Sequence, residues 1–105
     1  MDINVLKEEQ DNVCTLHVSG LLDYSTMDSF IEKVHSIKDG TNRVIINFES
    51  LEFIDSTGIG AIINLAHKAS EMQFKVELVG ISEENEDLFN MIGVFEIIEA
   101  LQMEG

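Results

Sequence analysis

The chain has a single cysteine, Cys14, only six lysines and arginines against twenty aspartates and glutamates, and no apolar run long enough to span a bilayer. Each scarcity excludes something. One thiol cannot form an internal disulfide. No basic region leads into an apolar core near the N-terminus, so nothing there reads as a secretory signal and the cytoplasm is the expected address. Glu, Asp or Lys interrupts the apolar stretches well short of the roughly 18 residues a membrane helix needs, so no membrane insertion is expected. A formal charge of −14 repels phosphate backbones at long range, which argues against direct nucleic-acid binding. Linkers, internal repeats and low-complexity stretches are absent from the sequence.

What is present is ordinary globular composition, 45% apolar and 25% charged over 105 residues, which predicts one domain spanning residues 1–105. The acid is unevenly placed. Glu77, Glu83, Glu84, Glu86, Asp87, Glu96, Glu99 and Glu104 follow Lys75, the last basic residue. Such a run reads first as a solvated face, with a surface for a basic partner as the other possibility.

Periodicity predicts the elements. Cys14, Leu16 and Val18 alternate with Thr15 and His17, the pattern of a half-buried strand, and a weaker strand over Ile3 to Leu6 would fold back on it through the polar Glu8–Asn12 segment. Met27, Phe30, Ile31, Val34 and Ile37 have helical spacing, which predicts a helix over 26–39, capped by Ser25 or Thr26 and ended near Gly40. Val44 to Phe48 is nearly continuous and β-branched, suiting a central strand covered on both faces. Glu49 to Ser56 is expected to be a loop pinned by Leu51, Phe53 and Ile54. A second helix starts at Thr57 and buries Ile59, Ile62, Ile63, Ala66, Ala69 and Met72.

Phe74 to Val79 reads as a further strand. Ser82 should cap a third helix carrying Leu88, Phe89 and Ile92 and closed by Gly93. Phe95 to Ile98 is expected to form a last short strand, followed by frayed residues or a small terminal helix. Met72, Met91 and Met103 are assigned to core or terminal packing. Strand-helix-strand units after residue 13 imply right-handed parallel crossovers, so the fold class is α/β with a mixed sheet and an antiparallel N-terminal edge.

The stretch richest in chemistry is Phe53-Ile54-Asp55-Ser56-Thr57-Gly58-Ile59-Gly60, where small polar residues sit at the mouth of a helix. Free backbone N–H groups and a partial positive charge collect there, so an anion on Ser56 would be accommodated locally. The plainer assignment makes Asp55 or Ser56 a helix cap and leaves the glycines to packing or close approach.

Together with Gly20-Leu21-Leu22-Asp23 before the first helix and Leu88-Phe89-Asn90-Met91-Ile92-Gly93-Val94 ending the third, this stretch resembles the STAS domain family, in particular its free-standing anti-sigma-factor antagonists of bacterial partner-switching systems. The resemblance covers the whole chain and implies a single STAS-like domain. It implies that Ser56, directly after Asp55, is a phosphoryl acceptor, and that Thr57 is a minor acceptor or only a helix residue. It places Asp23 beside the phosphorylation loop, so that Asp23, Asp55, Ser56, Thr57 and Gly58 form the partner-binding surface. The implied partners are a GHKL-type serine kinase that is also an anti-sigma factor and a PP2C-type phosphatase that resets the domain.

No kinase signature or Gly-x-x-x-x-Gly-Lys-Ser/Thr loop is present, so ATP and the groups that align the transfer would come from the partner. Neither a cofactor nor a metal is assigned, since His17, His35 and His67 share no metal-ligand spacing. A hydrolase built on Ser56 is disfavoured by the missing Gly-x-Ser-x-Gly elbow. The rival function is a soluble STAS-like interaction subunit of a transport or signalling complex without sigma-factor control.

Overall fold

The structure, a computed structural model, describes residues 2–104. In chain order it has β1 (Ile3–Gln10), β2 (Val13–Leu22), α1 (Met27–His35), β3 (Arg43–Asn47), β4 (Leu51–Ile54), α2 (Ser56–Met72), β5 (Lys75–Val79), α3 (Glu83–Ile92) and α4 (Val94–Glu104). Strands β1 and β2 pair antiparallel from Ile3↔Gly20 to Gln10↔Val13. They are joined by Asp11 and Asn12, whose φ values of 52° and 64° are those of a two-residue type I′ turn. The polar connection expected over Glu8–Asn12 is therefore shorter, and β1 longer, than the sequence pattern predicts.

The remaining pairings are parallel. The sheet runs β1-β2-β3-β5, with β4 off this path and paired to β2. Strand β2 is long enough to serve two neighbours on one edge: Val13 to His17 pair with β3, and Gly20 to Leu22 pair with β4 after a shift of register between Gly20 and Leu21. The mixed α/β sheet with its antiparallel N-terminal edge is the expected one. Two assignments need correction. Leu51 to Ile54 is a strand and not a loop, because the end of β2 offers an unpaired edge that its backbone can satisfy. Phe95 to Ile98 is helical, because Val94 and Ile98 are buried one turn apart and Leu101 packs against the core one turn further on, which only a helix can bring to one side.

Cys14, Leu16, Val18, Val44 and Ile46 point from the sheet into a core completed by Phe30 and Val34 of α1, by Ile59, Ile62, Leu65 and Ala69 of α2, and by Phe89, Val94 and Ile98. Each fully buried aliphatic side chain contributes about 1.5–3 kcal/mol. Thr15, His17, Ile45 and Asn47 lie on the opposite face and are only half-buried, while Leu6 and Glu77 are exposed there. The expectation that β3 is covered on both faces is thus wrong, since one face of the sheet remains open.

Helix α1 ends at His35, short of Gly40, with Ile37 buried in the turn that follows. Helix α3 has the expected cap, the Ser82 hydroxyl accepting from the Asn85 amide, and closes at Gly93 in the left-handed conformation. Phe89 stands edge-on to Phe48 with ring centroids 5.9 Å apart, which ties α3 to the chain just beyond β3. Met72 is partly buried against the core. The packing expected of Met91 and Met103 lies outside the described residues, as does the side chain of Glu104. The other acids after Lys75 are exposed, as a solvated face requires.

Candidate functional site

The site is assembled where β2 and β4 end side by side. Leu22 and Ile54 are register partners and both are buried, so the residues that follow them, Asp23 and Asp55, leave the same edge of the sheet. The Asp55 amide donates to the Leu22 carbonyl at 3.3 Å, tying the two exits together. Ser56 is then the first residue of α2 and is exposed, with Thr57 half-buried behind it. Among the described residues no intramolecular partner holds the Ser56 hydroxyl.

Of the two candidate caps, Asp55 is the one used. Its backbone is extended and its Oδ1 accepts from the Gly58 amide at 2.9 Å, while its carbonyl accepts from the Ile59 amide at 3.1 Å. The Ser56 side chain is consequently not consumed by capping and faces outward. The Ser56 and Thr57 amides, in the positively polarised first turn, have no intramolecular acceptor among the described residues.

Gly58 is buried, and what it contributes is proximity. A Cβ built on it would lie 2.3 Å from the Leu22 carbonyl oxygen and 2.9 Å from Ile54 Cγ1. The absence of a side chain allows the first turn of α2 to seat directly on the end of β2, and this contact sets the distance between the Asp23 and Ser56 loops. Gly60 faces open space and has no such constraint.

Asp23 is fixed by its own loop. Its Oδ1 accepts from the Ser25 amide at 2.9 Å and the Ser25 hydroxyl at 2.7 Å. Thr26, buried, donates from its hydroxyl to the Leu21 carbonyl at 2.8 Å and accepts from the Asp23 amide at 3.0 Å. Thr26 occupies the N-cap position of α1 but makes no capping bond to the helix; its hydroxyl instead fastens the loop to β2. The Ser25 hydrogen bonds, with smaller help from Thr26, outweigh slight desolvation and hold the Asp23 carboxyl below the ordinary aspartate value. Asp23 is therefore a fixed negative charge at neutral pH. Gly20 opens the same motif at φ +90°, where a Cβ would lie 2.4 Å from the Asp2 carbonyl oxygen, so glycine is required by both the conformation and the space.

Asp23, Asp55, Ser56, Thr57 and Gly58 are thus brought to one edge of the sheet, with Gly58 seated against Leu22 and Ile54. The sequence offers Ser25 and Thr26 only as caps of the first helix, whereas both hydroxyls serve the Asp23 loop, at the spacings of local side-chain-to-backbone turns. Phe53, expected with Leu51 and Ile54 to pin this segment to the body, is instead 49% exposed, because it faces away from the buried Ile54, and Tyr24, which no sequence signal singles out, is 80% exposed beside Asp23. Elsewhere, burial pushes the Cys14 thiol up, with Glu9 adding to the shift, so the thiol is kept un-ionised. Among the described residues no helix is long and apolar enough to cross a membrane, and no group of three His, Cys, Asp or Glu side chains is arranged to hold a metal.

Known proteins are similar to this chain over nearly its whole length. The chain is similar to the anti-sigma-B factor antagonist of Staphylococcus aureus, 25% identical over 99 residues covering 93% of this chain and 92% of the relative. It is also similar to that of Listeria monocytogenes, 28% identical over 108 residues covering 100% and 94%. A solved anti-sigma factor antagonist from Mycobacterium paratuberculosis has the same fold, with a TM-score of 0.73 at 23% identity over 90% of this chain and 81% of that one. The sequence pattern of the STAS domain matches residues 4–104, which takes in every strand but the first residue of β1, every helix, and both loops of the site. With the two loop motifs at one sheet edge and the profile matched across the fold, the chain belongs to the STAS domain family.

Proposed function

We propose that this domain is an anti-sigma-factor antagonist whose binding is switched by phosphorylation of Ser56. STAS domains of the anti-sigma antagonist type bind partners and are not enzymes. The unmodified domain binds a GHKL-type kinase that is also an anti-sigma factor and thereby frees a sigma factor. The kinase phosphorylates Ser56, the complex parts, and a PP2C-type phosphatase restores the serine. The cycle runs in the cytoplasm. The observation that carries this reading is the exposed Ser56 hydroxyl, free of capping, at the first position of α2, on the same sheet edge as the Asp23 loop. The names of the relatives support the sigma-factor output. A serine in the acceptor position favours this switch over a STAS-like interaction subunit without sigma-factor control.

The chemistry divides cleanly between the proteins. The Ser56 oxygen forms a bond to the γ-phosphorus of ATP, the bond to the β-bridging oxygen breaks, ADP leaves, and the serine proton passes to a base on the kinase. This chain supplies only a positioned hydroxyl. The product carries about −1.5 to −2 charge. On the free domain the first-turn amides of α2 offset part of it, by about 0.3–1 kcal/mol. In the complex the same group is desolvated next to Asp23 and Asp55, where like charges repel unless the partner neutralises them. Phosphorylation therefore acts on the interface and leaves the fold intact.

The test is incubation with the cognate kinase and ATP, followed by mass spectrometry of the product. Phosphate is expected on Ser56 and is expected to vanish in Ser56→Ala. Undiminished incorporation in that variant would remove Ser56 as the acceptor.

A further inference from the structure

The sequence has seven aromatic residues, six Phe and one Tyr. Phe30, Phe48, Phe74 and Phe89 are buried in the core, and Phe95, though 37% exposed, lies against Phe89 with ring centroids 5.9 Å apart. The other two, Tyr24 and Phe53, have no such companion among the described residues and are 80% and 49% exposed. Both are at the site. Tyr24 follows Asp23 in the loop that leaves β2. Phe53 is the register partner of Leu21 and lies two residues before Asp55, opposite in facing to the buried Ile54. One aromatic therefore projects from each of the two segments that present Asp23 and Ser56.

The charge on the segments that carry them is of one sign. No Lys or Arg occurs between Lys7 and Lys33 or between Arg43 and Lys68, the two segments that converge here, whereas Asp23, Asp28, Glu49, Glu52 and Asp55 are all present. The surface thus combines two unpaired aromatic side chains with a carboxylate border. Exposed aromatics of this kind are the residues that most often dominate binding energy at protein interfaces, and complementary charge on the rim governs encounter and choice of partner.

We propose that Tyr24 and Phe53 are the two aromatic anchors of the docking surface, and that the partner receives them in an apolar cleft rimmed by lysine or arginine side chains. This rests on the kinase-binding reading above and adds to it the residues that set affinity and partner choice. Division of labour follows. The anchors hold the partner whether or not the serine has reacted, and Ser56 with Asp23 determines whether the rim charges attract or repel. Since the anchors touch neither the hydroxyl nor the phosphate, they supply binding that is uniform between ground and transition states.

The experiment measures binding of the cognate kinase to the wild-type domain, Tyr24→Ala, Phe53→Ala and Leu6→Ala by calorimetry, with Ser56 phosphorylation kinetics on the same proteins. Leu6 is 57% exposed on the open sheet face and serves as the apolar control. Kd is expected to rise at least about 30-fold in Tyr24→Ala and about tenfold in Phe53→Ala, and to stay unchanged in Leu6→Ala. KM should rise in both anchor variants while kcat is retained, which a distorted acceptor loop would not produce. Raising salt from about 0.1 to 0.5 M should weaken the wild-type complex. Wild-type binding with unchanged Kd in Tyr24→Ala overturns the anchor assignment alone, and a salt-independent Kd overturns the basic rim. Absence of wild-type binding overturns the underlying reading and this inference together.

Discussion

The contact between Gly58 and the end of β2 can be tested by adding one methyl group. In Gly58→Ala the new carbon would stand 2.3 Å from the Leu22 carbonyl oxygen and 3.0 Å from its carbon. Ordinary carbon–oxygen contacts are about 3.3–3.6 Å, so the two backbones must separate by about 1 Å. Leu22 cannot easily yield, being fully buried and paired to β4, and its carbonyl already accepts the Asp55 amide. Overpacking against so fixed a neighbour should cost about 3 kcal/mol, of which the better helix propensity of alanine returns about 1 kcal/mol. The net loss of about 2 kcal/mol corresponds to a fall in Tm of about 8–16 °C for a domain of this size.

Gly60→Ala, two residues on in the same helix, meets nothing within 4 Å and should gain about 0.4–1 kcal/mol, raising Tm by a few degrees. Thermal unfolding followed by circular dichroism, with urea titration as the second measure, reads both. Opposite signs are required. A Gly58→Ala protein within about 0.5 kcal/mol of wild type, or a Gly60→Ala protein that is destabilised to the same extent, would refute the claim that space at Leu22, and not helix propensity, decides the glycine at position 58.

Removing the α2 cap by Asp55→Ala should lower stability by about 1 kcal/mol and Tm by about 4–8 °C, measured in the same melts; an unaltered Tm would mean the 2.9 Å bond to Gly58 contributes nothing. Because the Asp23 carboxyl is held below its ordinary value, its stabilisation of the loop is present above about pH 4 and is lost as pH falls through the lower folded value. The Ser25 amide resonance should report that loss by shifting upfield in acid, and Asp23→Asn should abolish the titration. Phosphorylation of Ser56 should change Tm by less than about 4 °C, since the first-turn amides and Asp55 act in opposite directions, yet weaken kinase binding at least tenfold, about 1.4 kcal/mol. A large drop in Tm accompanying dissociation would show that the phosphate disrupts the domain itself.

What the sequence determined by itself is the set of elements whose side chains repeat locally. Alternation of Cys14, Leu16 and Val18 declares β2, and the helical spacing of Ile59, Ile62, Ala66 and Ala69 declares α2, because each period is imposed by the geometry of a single element. The Asp55 cap of α2 was legible for the same reason, as Asp55 followed by small residues is a local capping signal. Strand β4 was not. Leu51 and Ile54 are buried but do not alternate, and their backbone is strand only because β2 runs on past β3 and leaves an edge to be paired. Nor could local pattern leave one face of β3 open, since Val44 to Phe48 reads the same whether one layer or two covers it.

The docking surface belongs wholly to the tertiary structure. Tyr24 and Phe53 are 29 positions apart in the chain and look like any other aromatic residues of a small core. They come to the same end of the sheet as Ser56 only because Leu22 pairs with Ile54, and they stay outside while Phe30, Phe48, Phe74 and Phe89 fill the interior. Which side chains remain for a partner is settled by what the core has no room to bury, a property of the packed molecule that no stretch of sequence contains.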